Sequence, residues 1–292
     1  MGIYVTFWGV RGSIPTPGHL TQRYGGNTAC IEVRINDQIF ILDGGSGLRG
    51  LGTNLAGRGQ SAIKAHMLFS HSHWDHIQGF PFFIPVYNPK TVLNVYDVDK
   101  TRSIYELLHG QMQDRYFPVQ FNDLGSSIVP NYFENGKKQI EDITISYYKT
   151  KHPGGSLAYS IVWNGKKIVY STDNELDLLL LNREETMNNP KAFRRAPKDF
   201  IEFIQGAELF IADGQYTDAE YPTKVHWGHP RATTLVDASF EAGVKQLAVT
   251  HHDPMQSDTD VDRKIESCRA RANELGYKGV IFPAREGVTL KF

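Results

Sequence analysis

Between Phe69 and Ile77 the chain reads Phe-Ser-His-Ser-His-Trp-Asp-His-Ile, which puts His71, His73, Asp75 and His76 within six residues. Neutral imidazole nitrogen and carboxylate oxygen are the donors that zinc and similar borderline metals accept. On an extended backbone His71 and His73, two apart, point the same way. Asp75 and His76 then turn toward a neighbouring point, so one loop can serve two adjacent metals. The same donor types recur singly further on: His152 in His-Pro-Gly-Gly, Asp173 in Tyr-Ser-Thr-Asp, and His251 in His-His-Asp. Five histidines and two aspartates divide between two metals. The first takes His71, His73 and His152; the second takes Asp75, His76 and His251; Asp173, with two oxygens, can bridge. A metal lowers the pKa of its bound water from about 16 to about 7, and a second metal can hold the electrophile's oxygen and the leaving oxygen. The chemistry so implied is hydrolysis, with a bridging hydroxide as nucleophile.

The elements around these residues put them where α/β proteins keep their chemistry, at the C-terminal ends of strands. His66-Met-Leu-Phe69 is an apolar run that reads as a buried strand, and Gly79 and Pro81 close the loop after the ligand cluster. Strands are expected over 3–8, 29–34, 38–42, 92–96, 127–133, 143–150, 157–163, 167–171, 207–212 and 246–250, with short ones at 281 and 288–290. Hairpin turns fall at Asn36-Asp37 and Asn164-Gly165, and 134–138 reads as a further turn. Helices are expected over 48–56, 101–116, 232–242 and 259–275. Asp43, at a strand end before Gly44-Gly45-Ser46-Gly47, is placed to orient a metal-bound histidine; the alternative is a cap on the following helix. The glycine- and proline-rich loop 9–27 offers Arg11, Ser13 and Asn27 as anion-binding, hence substrate-binding, groups; the alternative is a structural Ω-loop. Tyr105, Tyr116, Phe117 and Phe121 read as core, with a lid over a pocket as the other reading.

The chain has 292 residues, 40% hydrophobic and 22% charged, as in an ordinary soluble globule. No linker divides it, so 1–292 reads as one domain with a polar, helical insertion near 174–206. Within that insertion Arg194, Arg195 and Lys198 read as a solvated face, with phosphate binding as the lesser alternative. The formal net charge is −1, from 31 basic and 32 acidic residues. Such a balance gives no field to attract a long polyanion, so a large nucleic-acid footprint is disfavoured. The two cysteines, Cys30 and Cys268, read as reduced thiols of a cytoplasmic protein. Neither a signal peptide nor a membrane span is expected.

The His-x-His-x-Asp-His motif, followed in order by His152, Asp173 and His251, resembles the metallo-β-lactamase superfamily over nearly the whole chain. The resemblance implies an α/β fold of that type, an αββα sandwich with two divalent metals at one edge of its sheets. The segment from His229-Pro-Arg-Ala-Thr-Thr through Leu-Ala-Val-Thr-His251 is similar to the phosphodiesterase branch. That branch includes the tRNA 3′-processing endonuclease and the phosphonate-pathway cyclic phosphodiesterase. The matching histidine there donates a proton to the leaving oxygen or stabilises the phosphorane, and the resemblance carries that role to His229, with His226 as fallback. Pro230 stands where the tRNA enzyme usually has serine. Asp75 is counted as catalytic as well as a ligand. Zinc is the default metal, with manganese or iron also acceptable to this set. Dimers are common in the branch, so a homodimer is a possible assembly.

These residues lead to a metal-dependent phosphodiesterase acting on a small or cyclic phosphodiester, a cyclic nucleotide being preferred on resemblance alone. The alternatives on the same fold are a tRNA 3′-endonuclease and a lactone or thioester hydrolase. The tRNA enzyme's glycine-rich arm is not evident, since 174–206 lacks glycine before Gly206. A di-iron electron-transfer protein would usually carry glutamate at the motif's second histidine, where this chain has His73. A non-catalytic metal scaffold would not need all seven ligands.

Overall fold

The computed structural model describes residues 2–60, 62–97, 103–189 and 191–292. Its chain forms two compact units, Met1–Gly136 with Arg285–Phe292, and Lys137–Ala284. In the first, β1 (Ile3–Gly9) alternates, with Ile3, Val5 and Phe7 buried, as a half-buried strand should. It pairs antiparallel with β2 (Cys30–Ile35), which turns through Asn36 at φ 53° into β3 (Gln38–Leu42). Helix α1 (Gly47–Gly57) crosses over to β4 (Lys64–Leu68), which lies parallel to β3. The four-residue α2 (Trp74–Ile77) follows, then β5 (Val92–Asp97), α3 (Ile104–Gln111) and β6 (Ser127–Tyr132), with β5 and β6 both continuing the parallel part. Cys30, Ile41, Leu51, Met67, Phe80, Phe83 and Val95 are among the residues of this unit's core.

The second unit opens with an antiparallel meander of β7 (Lys137–Ile140), β8 (Ile143–Thr150), β9 (Ser156–Trp163) and β10 (Lys166–Ser171). A long crossover holding α4 (Arg183–Asn188) and α5 (Lys198–Ile204) leads to β11 (Leu209–Asp213), parallel to β10. Helix α6 (Ala232–Glu241) then leads to β12 (Gln246–Thr250), and α7 (Asp258–Leu275) to β13 (Val280–Pro283), both strands parallel. Ser257 and Asp260 form a capping box at the start of α7, and Gly276 ends it in the left-handed conformation. The final strand β14 (Thr289–Lys291) returns to the first unit and pairs antiparallel with β1. Each unit thus has one seven-stranded sheet, ordered β14-β1-β2-β3-β4-β5-β6 and β13-β12-β11-β10-β9-β8-β7.

Three readings need correction. The turn expected over 134–138 is confined to Asn135-Gly136, and Lys137 already belongs to a strand. The helix expected over 101–116 ends at Gln111; Ser103 caps its start by accepting the Tyr105 amide, while Thr101 and Arg102 lie outside the described residues. Arg194 is not on a solvated face. It is buried, ion-paired to Asp218 at 2.6 Å, and its amide donates to Asp237 Oδ2. Arg195 and Lys198 are exposed as expected. Phe121 is core, stacking near Phe80 and edge-on to Tyr105, whereas Tyr116 is exposed. Both cysteines are buried free thiols. Among the described residues no helix is long and apolar enough to cross a membrane.

Candidate metal centre and proton donor

The expected ligands sit just past strand ends, and several of those ends break the strand conformation sharply. Asp43, Asp173 and His251 follow β3, β10 and β12, and they have φ of 61°, 48° and 56°. Non-glycine residues seldom accept this left-handed region, and such departures gather at functional sites. The reversal turns each side chain out of the alternation of its strand.

In the first unit, Asp43 is the hub. Its Oδ1 accepts the Ser70 amide at 2.6 Å and its Oδ2 the Ser70 hydroxyl at 2.8 Å. Oδ2 also lies 2.8 Å from His76 Nδ1. The ligand loop is held by backbone as well, since Gly44 N donates to His76 O. Gly45 has no room for a side chain, because a Cβ there would stand 2.1 Å from Asp75 O. The rings of His73 and His76 have centroids 4.4 and 4.3 Å from that of His71. Asp75 Oδ2 accepts the Ser13 amide at 2.8 Å and lies 3.2 Å from His76 Nε2.

In the second unit, Asp173 is central. Its Oδ1 lies 3.2 Å from His251 Nε2 and its Oδ2 lies 3.4 Å from His152 Nε2, so the two oxygens face different imidazoles. Donor atoms of Asp173, Asp213, His229 and His251 all lie within 4.8 Å of one another. His229 Nδ1 is 2.8 Å from Asp213 Oδ2, and its ring stacks on His251 at 4.9 Å. Asp213 is fixed in turn by the Gln215 amide at 3.0 Å. Tyr216 meets the His229 ring edge-on; burial, then the charge of Asp213, push its phenol up, so it stays neutral.

The donor set fits a metal through one repeated feature. His152 Nδ1 donates to the Gly228 carbonyl at 3.0 Å, and a carbonyl can only accept. His251 Nδ1 faces Gln215 Oε1 at 2.9 Å, and His76 Nδ1 faces the Asp43 carboxylate. With the proton thus held on Nδ1, a neutral ring presents its Nε2 lone pair at 3.2–3.4 Å from a carboxylate oxygen. Two electron-rich atoms are stable at that distance when a cation lies between them. Fixing Nδ1 by an outer acceptor is how proteins orient metal-binding imidazoles.

Of the proposed anion-binding groups, only Ser13 is exposed. Arg11 is fully buried, with Nε donating to Gly25 O at 2.9 Å. Asn27 is clamped by Glu286, through its amide at 2.6 Å and Nδ2 at 2.9 Å, and its Oδ1 accepts the Ser46 hydroxyl. His226 is exposed.

Asp213, Gln215 and Glu175 carry the site without having been singled out from the sequence. Glu175 accepts the His226 and Gly228 amides at 2.6 and 2.8 Å and the Tyr221 hydroxyl at 2.9 Å, and so shapes the turn before His229. Asp177 does the same after it, binding the Arg231 amide and guanidinium and the Thr234 hydroxyl. For Asp213 a signal existed: like Asp173, it is an acid at a strand's C-terminal end.

The family described as Anti-Pycsar protein Apyc1 matches residues 17–193. A ribonuclease Z of Halobacterium salinarum is 22% identical over 322 aligned positions, covering 99% of this chain and 97% of its own length. Among solved structures, the metallo-β-lactamase fold protein YhfI of Bacillus subtilis is 18% identical with a TM-score of 0.70, covering 100% of this chain and 99% of that one. A diphosphatase from the PhnP family is 14% identical with a TM-score of 0.67, covering 99% and 98%. At these identities the structural likeness establishes the fold, and it is the metallo-β-lactamase type expected from the ligand motif.

Proposed function

The chain belongs to the family described as Anti-Pycsar protein Apyc1, and from that membership and its own residues we propose that it is a two-metal phosphodiesterase acting on a small or cyclic phosphodiester, a cyclic nucleotide foremost. The ligand division is the one expected from the sequence: His71, His73 and His152 for one metal, Asp75, His76 and His251 for the other, with Asp173 shared. Zinc is the first choice for such donors, with manganese or iron as substitutes. When bound, the metals activate the attacking water and offset the charge that builds on the phosphoryl oxygens.

The observation that carries the reading is the Asp213–His229 pair beside Asp173 and His251. As water attacks phosphorus, the bond to the leaving oxygen breaks and that oxygen takes up a proton. His229 supplies it from Nε2, because Nδ1 is committed to Asp213. Asp213 fixes the ring and balances its positive charge while the proton is held. General-acid help of this kind is worth about a hundred- to ten-thousand-fold. Asp75, held by the Ser13 amide, serves as ligand and fixes the geometry of attack. Ser13 is the substrate-facing member of its loop, with Arg11 and Asn27 giving that loop its shape. A net charge of −1 suits a small ester better than a long nucleic acid.

The test is hydrolysis of bis-p-nitrophenyl phosphate and of 3′,5′-cyclic AMP by metal-loaded protein and by His229→Ala. Turnover of the cyclic nucleotide by the wild type, lost in the variant with metal content unchanged, is the expected result. Absence of turnover of both esters by fully loaded protein refutes the reading. A tRNA 3′-endonuclease is the second reading, favoured by the ribonuclease Z relatives. It requires cleavage of a precursor tRNA, and that assay with the same preparation separates the two.

A further inference from the structure

Trp227 stands out as a large apolar side chain left 59% exposed two residues before the proton donor. The segment that carries it is rigid. Glu175 takes the amides on either side of it, those of His226 and Gly228. His226 is held at φ 72°, a conformation that other contacts must maintain. Gly228 abuts the His152 ring, where a Cβ would come within 2.2 Å of Nδ1. The indole is itself positioned, with Lys224 Nζ 4.0 Å from its ring centroid. A cation over an aromatic face is an attractive contact, so one face of the ring is covered and its orientation set. Successive Cα atoms are about 3.8 Å apart, so the Trp227 and His229 Cα atoms are within about 8 Å. That is less than the length of a nucleotide. A fixed aromatic surface at this distance binds a planar group with little loss of its own freedom.

Resting on the phosphodiesterase reading above, we propose that Trp227 is a specificity residue whose uncovered face stacks on the nucleobase borne by the scissile ester, with Lys224 holding the indole in place. Stacking uses the π-face that every base has, so purine and pyrimidine esters are both accepted and a base-less ester is disfavoured. Glu175 is a positioning residue in this scheme, since it acts only by shaping the turn.

The experiment compares 3′,5′-cyclic AMP with 1-deoxyribose cyclic phosphate, which keeps the ester ring and lacks the base, in wild type, Trp227→Ala and Trp227→Phe. Wild type favours the base-bearing ester by roughly five- to a hundredfold in KM, the range of one base–aromatic contact. Trp227→Ala abolishes that preference and Trp227→Phe keeps much of it. A variant that slows both esters equally, with the preference intact, overturns the proposal, because a residue that only shapes the turn has that signature. Binding is read separately, by indole fluorescence of His229→Ala protein titrated with cyclic AMP. Saturable quenching that vanishes when Trp227→Ala is added supports stacking even if turnover fails and the phosphodiesterase reading falls. Quenching that survives the substitution, or none at all, overturns it.

Discussion

Replacing Lys264 with methionine gives a measurable test of how the second unit holds its histidines. Lys264 is fully buried in α7, and its Nζ donates to Gln215 O at 3.1 Å and Gln256 Oε1 at 2.8 Å. Gln215 is the residue that faces His251 Nδ1. Burial lowers the Lys264 pKa from 10.5 to about 8, with Cys268, Glu220, Asp213 and Asp253 pulling the other way. At about 1.4 kcal/mol per tenfold change in proton activity, that gap amounts to about 3 kcal/mol. Below pH 8 folded and unfolded chains both hold the proton, so the full cost of the buried charge is present. Between pH 8 and 10.5 the unfolded chain keeps the proton and the folded chain gives it up, so wild-type stability rises with pH. Above 10.5 the cost is gone. Lys264→Met has no charge to lose but loses both hydrogen bonds, although Gln215 O keeps the one from Gln256 Nε2; that loss is an offset of about 1–3 kcal/mol that does not vary with pH. Urea unfolding of both proteins from pH 7.5 to 10.5 isolates the ionisation, because every other titrating group is common to the two. The wild type should gain about 3 kcal/mol on the variant across that range. A difference that stays flat would refute the reasoning, since it would mean that the ammonium is solvated in the folded state.

Three further outcomes are expected. Asp213→Asn should lower kcat on cyclic AMP by about a hundred- to ten-thousand-fold and far less on bis-p-nitrophenyl phosphate, whose leaving group is stable as an anion; equal losses on both would show that Asp213 does not act through the proton donor. Asp43→Ala should weaken metal binding by about 10- to 100-fold, as loss of an outer partner usually does, and chelator competition giving wild-type affinity would remove Asp43 from that role. Gly228→Ala puts a Cβ at φ +92° within 2.2 Å of His152 Nδ1. It should cost about 1–3 kcal/mol of stability and lower metal stoichiometry, and an unchanged urea midpoint with full metal content would contradict the crowding.

The clustered histidines and aspartates were legible because their types are few and their order along the chain follows the strand ends. His71 to His76 need no long-range information, and a histidine or aspartate closing an apolar run is visible one element at a time. Asp43 and the hairpin at Asn36 were readable for the same reason. What escaped depends on distant partners. Asp213 matters because His229, sixteen residues on, reaches it. Glu175 matters because the turn at 226–228 has amides for it to accept, and nothing near Glu175 in sequence says so. Arg194 looked solvated beside Arg195 and Lys198, yet Asp218 and Asp237 draw it alone inward. Lys-Lys-Gln-Ile at 137–140 has little strand propensity and, among the described residues, is a strand through pairing with β8 on one side only. Its lysines suit an open edge, where charge discourages further pairing. Arg11, a plain anion-binding group by type, spends its Nε on a loop carbonyl instead.

The clamp of Glu286 on Asn27 has a consequence for the order of events during folding. Both ends of the first unit's chain meet there: β14 pairs with β1, and Glu286 fastens the loop whose Ser13 amide touches Asp75. The β1–β14 and Asn27–Glu286 contacts join residues more than 250 positions apart, and contacts of such separation form late because the intervening chain must first be ordered. The second unit is one continuous stretch, so all of its strands are available before residue 285 has been added. A chain lacking 285–292 therefore has every residue of the Asp173–Asp213–His229–His251 cluster while the loop over Asp75 is still unfastened. A released chain ending at residue 284 should be cut by protease within 9–27 and resist cutting across 137–284, and the full chain should resist in both.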